Sequence, residues 1–121
     1  MEKQVILGSC PSKSNTYKII KIGSVYSLGK TPALKKYEKD FYIQCNHYRD
    51  ANIEDYFEFY MDVFYPNQRS DLDNSAKVVL DCLQKVKAIK NDNKLTKMVL
   101  RKFLDKNNPR IEFILKKVEG F

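Results

Sequence analysis

The sequence has no tryptophan, one histidine, four glycines, four prolines and three cysteines in 121 residues. Each scarcity removes a class of chemistry. Cys10, Cys45 and Cys82 are odd in number and widely spaced, and no Cys-x-x-Cys or His/Cys cluster suggests zinc. Free thiols fit a reducing compartment and hence a cytoplasmic location. His47 is the only histidine. It falls in an expected first helix, so a Ser/His/Asp or Cys/His triad has no support. With so little glycine there is no Gly-rich phosphate loop. No stretch approaches the length of a membrane span. Met1-Glu2-Lys3-Gln4 lacks the basic leader and apolar run of a secretory signal. Neither an internal repeat nor a low-complexity tract is present.

What the chain does have is positive charge. Lys and Arg number 22 against 15 Asp and Glu, a net charge of +7, with a pI near 9.3. An excess of Lys and Arg favours polyanions, because neutralised phosphates release condensed counterions; solubility alone is the other reading. The charge is uneven. From Met1 to Ile53 there are nine basic and four acidic residues, from Glu54 to Asp73 one and six, and from Asn74 to Phe121 twelve and five. The acidic block ends in Arg69-Ser70-Asp71-Leu72-Asp73-Asn74-Ser75-Ala76-Lys77, with basic segments on both sides.

Length predicts one domain over residues 1–121. Gln4 to Leu7 reads as a short strand and Cys10 to Asn15 as a polar loop. Tyr17 to Ile22 and Val25 to Leu28 flank Gly23-Ser24, a two-residue hairpin turn. Thr31-Pro32 opens a helix, with Thr as N-cap and Pro at the first helical position. Leu34, Tyr37, Phe41, Cys45 and Tyr48 give it an apolar face and carry it to about His47 or Arg49. Tyr56 to Phe64 alternates as a strand, with Phe57, Phe59, Met61 and Val63 on one face. A second helix is expected from about Asn74 to Val86, burying Ala76, Val79, Leu80, Leu83 and Val86. Lys90 to Asn93 is a polar turn. Leu95 to Leu104 and Arg110 to Val118 read as strands that should pair as an antiparallel hairpin. The order β-β-β-α-β-α-β-β predicts an α+β or mixed α/β fold, a small mixed sheet with two main helices.

Asp71 and Asp73 admit two readings that can coexist. In an extended approach to a helix, residues i and i+2 point the same way, so two carboxylates can hold one hard cation. Mg²⁺, with Mn²⁺ as an alternative, suits a few carboxylates completed by waters and phosphate oxygens. Equally, Asp73 is placed to N-cap the second helix and Asp71 to complement its dipole. Lys77, one turn on, is a candidate to stabilise charge at a phosphate, or simply an ion-pair partner of Asp73 or Asp81. Asp92 follows the helix, which is about 20 Å long. It reaches the pair only if the next strand returns beside the one ending near Phe64. An EF-hand starting at Asp71 fails, because Ser75 and Cys82 stand where ligands are required. Around Asp92 the chain is rich in lysine, including Lys90 and Lys94. Lys13, Ser12, Ser14 and Asn15 in the first loop are possible phosphate donors. Tyr17 and Tyr26 are candidates to stack on unpaired bases or to pack within their hairpin.

Together these residues resemble the RusA-type Holliday junction resolvases. Pro11-Ser12-Lys13-Ser14-Asn15-Thr16-Tyr17 is similar to that family's Pro-Ser-x-Asn-x-x-Tyr region, at a spacing one residue looser. Arg69-Ser70-Asp71-Leu72-Asp73-Asn74 with Lys77 is similar to its Arg-x-Asp-x-Asp-Asn motif and helix. Asn91-Asp92 stands where the family usually has Asp-Asp, and Lys87-Ala88 where it often has glycine. The resemblance implies a Mg²⁺-dependent, homodimeric endodeoxyribonuclease that resolves four-way DNA junctions symmetrically and leaves 5′-phosphates. It implies metal ligation by Asp71, Asp73 and Asp92, a catalytic Lys77, and DNA contacts at Lys13, Ser14, Asn15, Arg69, Asn74, Lys90 and Lys94. Two rival readings are a nuclease for flaps or forks, and a non-catalytic branched-DNA-binding protein in which Asn91 marks lost cleavage.

Overall fold

Strict alternation in one strand organises the fold. In the computed structural model, which describes residues 2–121, the chain runs β1 (Gln4–Leu7), β2 (Tyr17–Ile22), β3 (Val25–Lys30), α1 (Pro32–Gln44), β4 (Phe57–Tyr65), α2 (Leu72–Lys85), β5 (Leu95–Leu104) and β6 (Arg110–Lys117). Short 3-10 turns lie at Lys13–Asn15 and Asp92–Lys94. This is the expected α+β element order. In β4 the residues Phe57, Phe59, Met61, Val63 and Tyr65 are each at most 2 % exposed. Burial of such side chains contributes about 1.5–3 kcal/mol each. They form one cluster with Leu34, Tyr37 and Phe41 of α1 and Ala76, Val79, Leu80 and Leu83 of α2. Both helices therefore cover the same sheet face.

The main sheet has the order β1-β6-β4-β5, while β2 and β3 form a separate two-stranded sheet. β5 is parallel to β4, joined by the α2 crossover, and β6 is antiparallel to β4 on its other side. The expected β5–β6 hairpin is therefore wrong. The two strands do run in opposite directions, but β4 lies between them. With both edges of β4 occupied, its whole ladder is satisfied in the interior, whereas a β5–β6 hairpin would leave a strand with a fully buried face an unpaired edge. The connection Asp105–Pro109 spans the end of β4. Asp105 N–H donates to the Tyr65 carbonyl (2.8 Å), and Pro109 offers its carbonyl to Gly8 N–H (3.0 Å).

Both helices begin or end away from their expected limits. Thr31 caps α1 as anticipated, its Oγ1 accepting from Leu34 N–H at 3.2 Å. The helix stops at Gln44, however, short of His47. Gln44 turns its side chain to β1 instead, accepting from Leu7 N–H (2.8 Å) and donating to the Leu7 carbonyl (3.1 Å). His47 consequently lies outside the helix and exposed. Helix α2 starts at Leu72, so Asp71 and not Asp73 occupies the N-cap.

At its other end, α2 closes in a Schellman arrangement. Ala88 N–H donates to the Leu83 carbonyl (2.9 Å) and Lys87 N–H to that of Gln84 (3.1 Å). Lys87 adopts φ +60°, a left-handed conformation that costs an L-residue about 1–2 kcal/mol. The lysine thus keeps the geometry that a glycine would supply at this position. Lys87→Gly is expected to stabilise the protein by about 1 kcal/mol, seen as a higher urea midpoint with an unchanged slope.

Candidate active site

The site is built where β4 hands over to α2. Tyr65, the last residue of β4, is fully buried, and its hydroxyl contacts the Asp71 carbonyl (3.1 Å) and Ser75 Oγ (2.5 Å). Burial pushes its pKa up to about 12, so the phenol stays protonated and able to donate. The Asp71 carbonyl also takes the first helical bond, from Ser75 N–H at 3.3 Å. From β5, Lys102 Nζ donates to the carbonyls of Gln68 (3.0 Å) and Ser70 (2.8 Å), pinning the loop that leads into Asp71. The backbone of Asp71 is thereby held from two strands.

That anchoring leaves the carboxylates uncommitted. Asp71 sits in extended conformation at the N-cap position, yet its side chain makes no capping bond. Asp73 is already on the helix and, among the described residues, accepts only from the adjacent Asn74 N–H (2.9 Å). The expected capping by Asp73 is thus absent, and the extended i,i+2 geometry applies to Asp71 alone. Both residues are exposed and lie in the first turn, where the helix dipole favours negative charge. Lys77 lies one turn on, also exposed. Among the described residues, neither Lys77 nor Asp71 nor Asp73 forms an ion pair within 4.0 Å.

The N-terminal loop is docked beside them. Asn74 Nδ2 donates to the Pro11 carbonyl (3.0 Å), so its amide nitrogen is spent on the protein itself. Thr31 Oγ1 donates to the Asn15 carbonyl (2.7 Å), and Thr16 Oγ1 to that of Lys13 (3.0 Å). Lys13, Ser14 and Asn15 are thus presented on a fixed, exposed turn. Arg69, exposed in the loop before Asp71, is held through its backbone by Asn67 Oδ1 (2.9 Å). A cavity of about 740 Å³ opens between this turn, α1 and α2, lined by Asp73, Lys77 and Asp81 along α2 and by Lys13, Tyr17 and Lys30 opposite.

Asp92 is not part of this group. A parallel crossover must travel the length of the strand before the next one begins, so β5 starts at the opposite end of the sheet. There Asp92 N–H donates to Gln84 Oε1 (3.1 Å), in the last turn of α2. Between the levels of Asp73 and Gln84 the helix rises roughly 16 Å. Among the described residues, no three His, Cys, Asp or Glu side chains converge on one point. Lys90 and Lys94 lie at the Asp92 end, Lys90 on Glu54 (3.3 Å) and Lys94 over the Tyr56 ring (4.6 Å). Asn91 accepts from Asn93 N–H (3.0 Å) and so caps the turn that carries Asp92.

Sequence reasoning missed three supporting residues. Tyr65 was legible as one further step of the β4 alternation. Lys102 was legible as one of the lysines following Asp92, but not as a support of the loop before Asp71. Glu38 bridges Lys30 (2.9 Å) and Lys85 (3.0 Å), tying β3, α1 and the last turn of α2 around the cavity. Burial alone would raise the Glu38 pKa, but hydrogen bonds from the two lysines outweigh it and lower it. Asp81, facing the same cavity, is raised by burial, with Lys77 opposing and Asp92 and Glu38 adding to the rise. All three cysteines are free and buried, and burial lifts the Cys10 and Cys45 thiols to about 11.

Two carboxylates at the start of a helix, an unpaired lysine and a basic surround define a site suited to phosphodiester chemistry. The family model described as Endodeoxyribonuclease RusA matches residues 11–116, nearly the whole chain. The chain belongs to the RusA endodeoxyribonuclease family. A comparison with curated proteins found none that matches.

Two consequences can be measured. Tyr65→Phe removes the hydroxyl from the Asp71 carbonyl and Ser75, and should cost about 1–2 kcal/mol in chemical denaturation, with slower DNA cleavage at unchanged DNA affinity. Glu38, with its pKa lowered on folding, contributes stability that is present above the ordinary glutamate value of 4.5 and lost as pH falls below it. Glu38→Gln should therefore flatten the acid limb of the stability profile, followed by thermal unfolding between neutral and acid pH.

Proposed function

We propose that this chain is a homodimeric, Mg²⁺-dependent endonuclease of the cytoplasm that resolves four-way DNA junctions by symmetric hydrolysis, with Mn²⁺ as an alternative ion. The observation that carries the reading is the pair Asp71 and Asp73, fixed through the backbone at the head of α2 with their carboxylates free, in a chain of the RusA family. The donor set fits the ion. Two exposed carboxylates offer hard oxygen ligands and leave room for waters and a phosphate oxygen, as Mg²⁺ prefers. Bound there, a divalent cation would activate water and neutralise charge on the attacked phosphate. Lys77, free of a carboxylate partner, stabilises the same charge or the leaving oxygen. Lys13, Ser14, Asn15 and Arg69 hold the phosphates on either side, while Lys90 and Lys94 meet the backbone further along, beyond about six base-pair steps of 3.4 Å.

Asp92 enters this reading through the dimer. Helix α2 keeps it from the Asp71 and Asp73 of its own chain, so it completes the site of the second copy. Two sites related by a two-fold axis suit a substrate cut on two strands.

The first test is cleavage of a four-way junction with and without Mg²⁺. Asp73→Asn should bind the junction and lose at least about 100-fold in cleavage rate. Equal cleavage by Asp73→Asn would sink the site. Binding without cleavage by the wild type, across divalent metals, would favour the non-catalytic reading. Faster cleavage of flaps or forks than of junctions would favour the other nuclease reading. The second test mixes the inactive Asp73→Asn and Asp92→Asn chains. Mixed dimers hold one intact site if Asp92 acts across the interface, so single-strand nicking returns; without such sharing, the mixture stays inactive.

A further inference from the structure

The hairpin of β2 and β3 is unlike the rest of the molecule. It forms its own two-stranded sheet, separate from the main one. Its apolar side chains are not buried: Ile19 and Leu28 are 73 % exposed, Ile22 70 %, Tyr26 67 % and Val25 64 %. A lone hairpin has no second layer to cover it and is marginal in water. Here only its root is tied down, through Thr31 N–H to the Thr16 carbonyl (2.9 Å) and the Thr31 hydroxyl to the Asn15 carbonyl. Gly23, at φ +62°, makes the tight turn at its tip.

We propose that this hairpin is the branch-sensing arm of the protein, inserting between unstacked bases at the centre of a branched DNA. The inference rests on the proposed nuclease reading. Charge favours nucleic acid over a protein occupant. Between Tyr17 and Lys30 there are three lysines, Lys18, Lys21 and Lys30, and no acid. Glu38 of α1 pairs with Lys30 (2.9 Å), but among the described residues Lys18 and Lys21 form no ion pair, so a second copy of the hairpin would bring like charge against it.

The register adds chemistry. Tyr17 opposes Lys30, Ile19 opposes Leu28 and Lys21 opposes Tyr26, so one face alternates apolar and aromatic groups with cations. Lys21 Nζ lies 5.5 Å from the centre of the Tyr26 ring. Aromatic faces beside lysines are the combination that stacks unpaired bases while holding their backbone. Exposed Ile and Leu are of the type that wedges into opened base steps.

Position completes the case. Tyr17 and Lys30, at the hairpin's root, line the same cavity as Asp73 and Lys77. An arm seated in a branch point would therefore set which phosphate reaches the carboxylates. Duplex DNA, with no unstacked bases, gives the arm nothing to enter.

The experiment compares junction and duplex binding in EDTA for the wild type and the double variant Tyr26→Ala, Leu28→Ser, together with sedimentation of both proteins. Both changes lie on an exposed arm outside the core, and circular dichroism checks the fold. The wild type is expected to prefer the junction. The variant should lose about tenfold in junction affinity, keep duplex affinity within twofold, and keep its oligomeric state. A 2-aminopurine at the branch point should change fluorescence with the wild type and not with the variant. Undiminished junction preference in the variant overturns the arm and leaves the nuclease reading intact. Conversion of the variant to a smaller oligomer overturns it in favour of a second copy as occupant. A wild type that binds junction and duplex alike overturns the proposed substrate, and the arm with it.

Discussion

The structure depends on a parallel crossover. β4 is buried along one whole face and flanked on both sides, and β5 runs parallel to it. A parallel neighbour cannot be reached by a tight turn, so the chain must recross the sheet, and α2 is that passage. The candidate site residues on either side of α2 are distributed by this requirement. The acidic head of α2 lies at the end of β4, where Tyr65 and Lys102 converge on the loop. The Asn91-Asp92 turn, by the same necessity, lies at the other end.

The head of α2 also shows how a helix terminus can be kept available. An aspartate at the N-cap ordinarily satisfies the orphan N–H groups of the first turn, and that bond stabilises a helix by about 1 kcal/mol. Here the Asp71 side chain makes no such bond. The helix start is secured through main-chain carbonyls instead, from the Tyr65 hydroxyl and the Lys102 ammonium. Stability and ligand capacity are thus assigned to different atoms of the same segment. The exposed first turn leaves water or a ligand to complete the pairing.

Much of this was legible in the sequence, and the failures have common causes. Elements with a strong period or a cap were readable: β4 from its alternation, α1 from Thr31-Pro32, and the inward face of α2 from Ala76, Val79, Leu80 and Leu83. Strand partners were not. Alternation in Arg110 to Lys117 says that one face is buried but not which strand lies beside it, so proximity in sequence suggested β5 where packing selected β4. Helix ends were lost to tertiary bonds, with Gln44 drawn to β1 and Asp71 held by Tyr65. At the site, Asp71, Asp73 and Lys77 were findable because they are close in sequence. Glu38 and Lys102 reach it from elements far along the chain and leave no local trace.

Charge connects the fold to its chemistry. A chain of net charge +7 attracts any polyanion, so attraction alone cannot distinguish a branched substrate from a plain duplex. Discrimination requires contacts that only the right shape can make. The lysines around Asp92 and Lys13 of the N-terminal turn lie at opposite ends of α2, about 20 Å apart, a spacing suited to following the path of phosphates and not base sequence. The carboxylates of Asp71 and Asp73 are the local exception in this field. They repel a bare phosphate and accept one only with a cation between them. In the proposed reading binding and cleavage are thereby separated in the same surface: the lysines would hold DNA with or without metal, while a phosphate would settle at the head of α2 only when its charge is bridged.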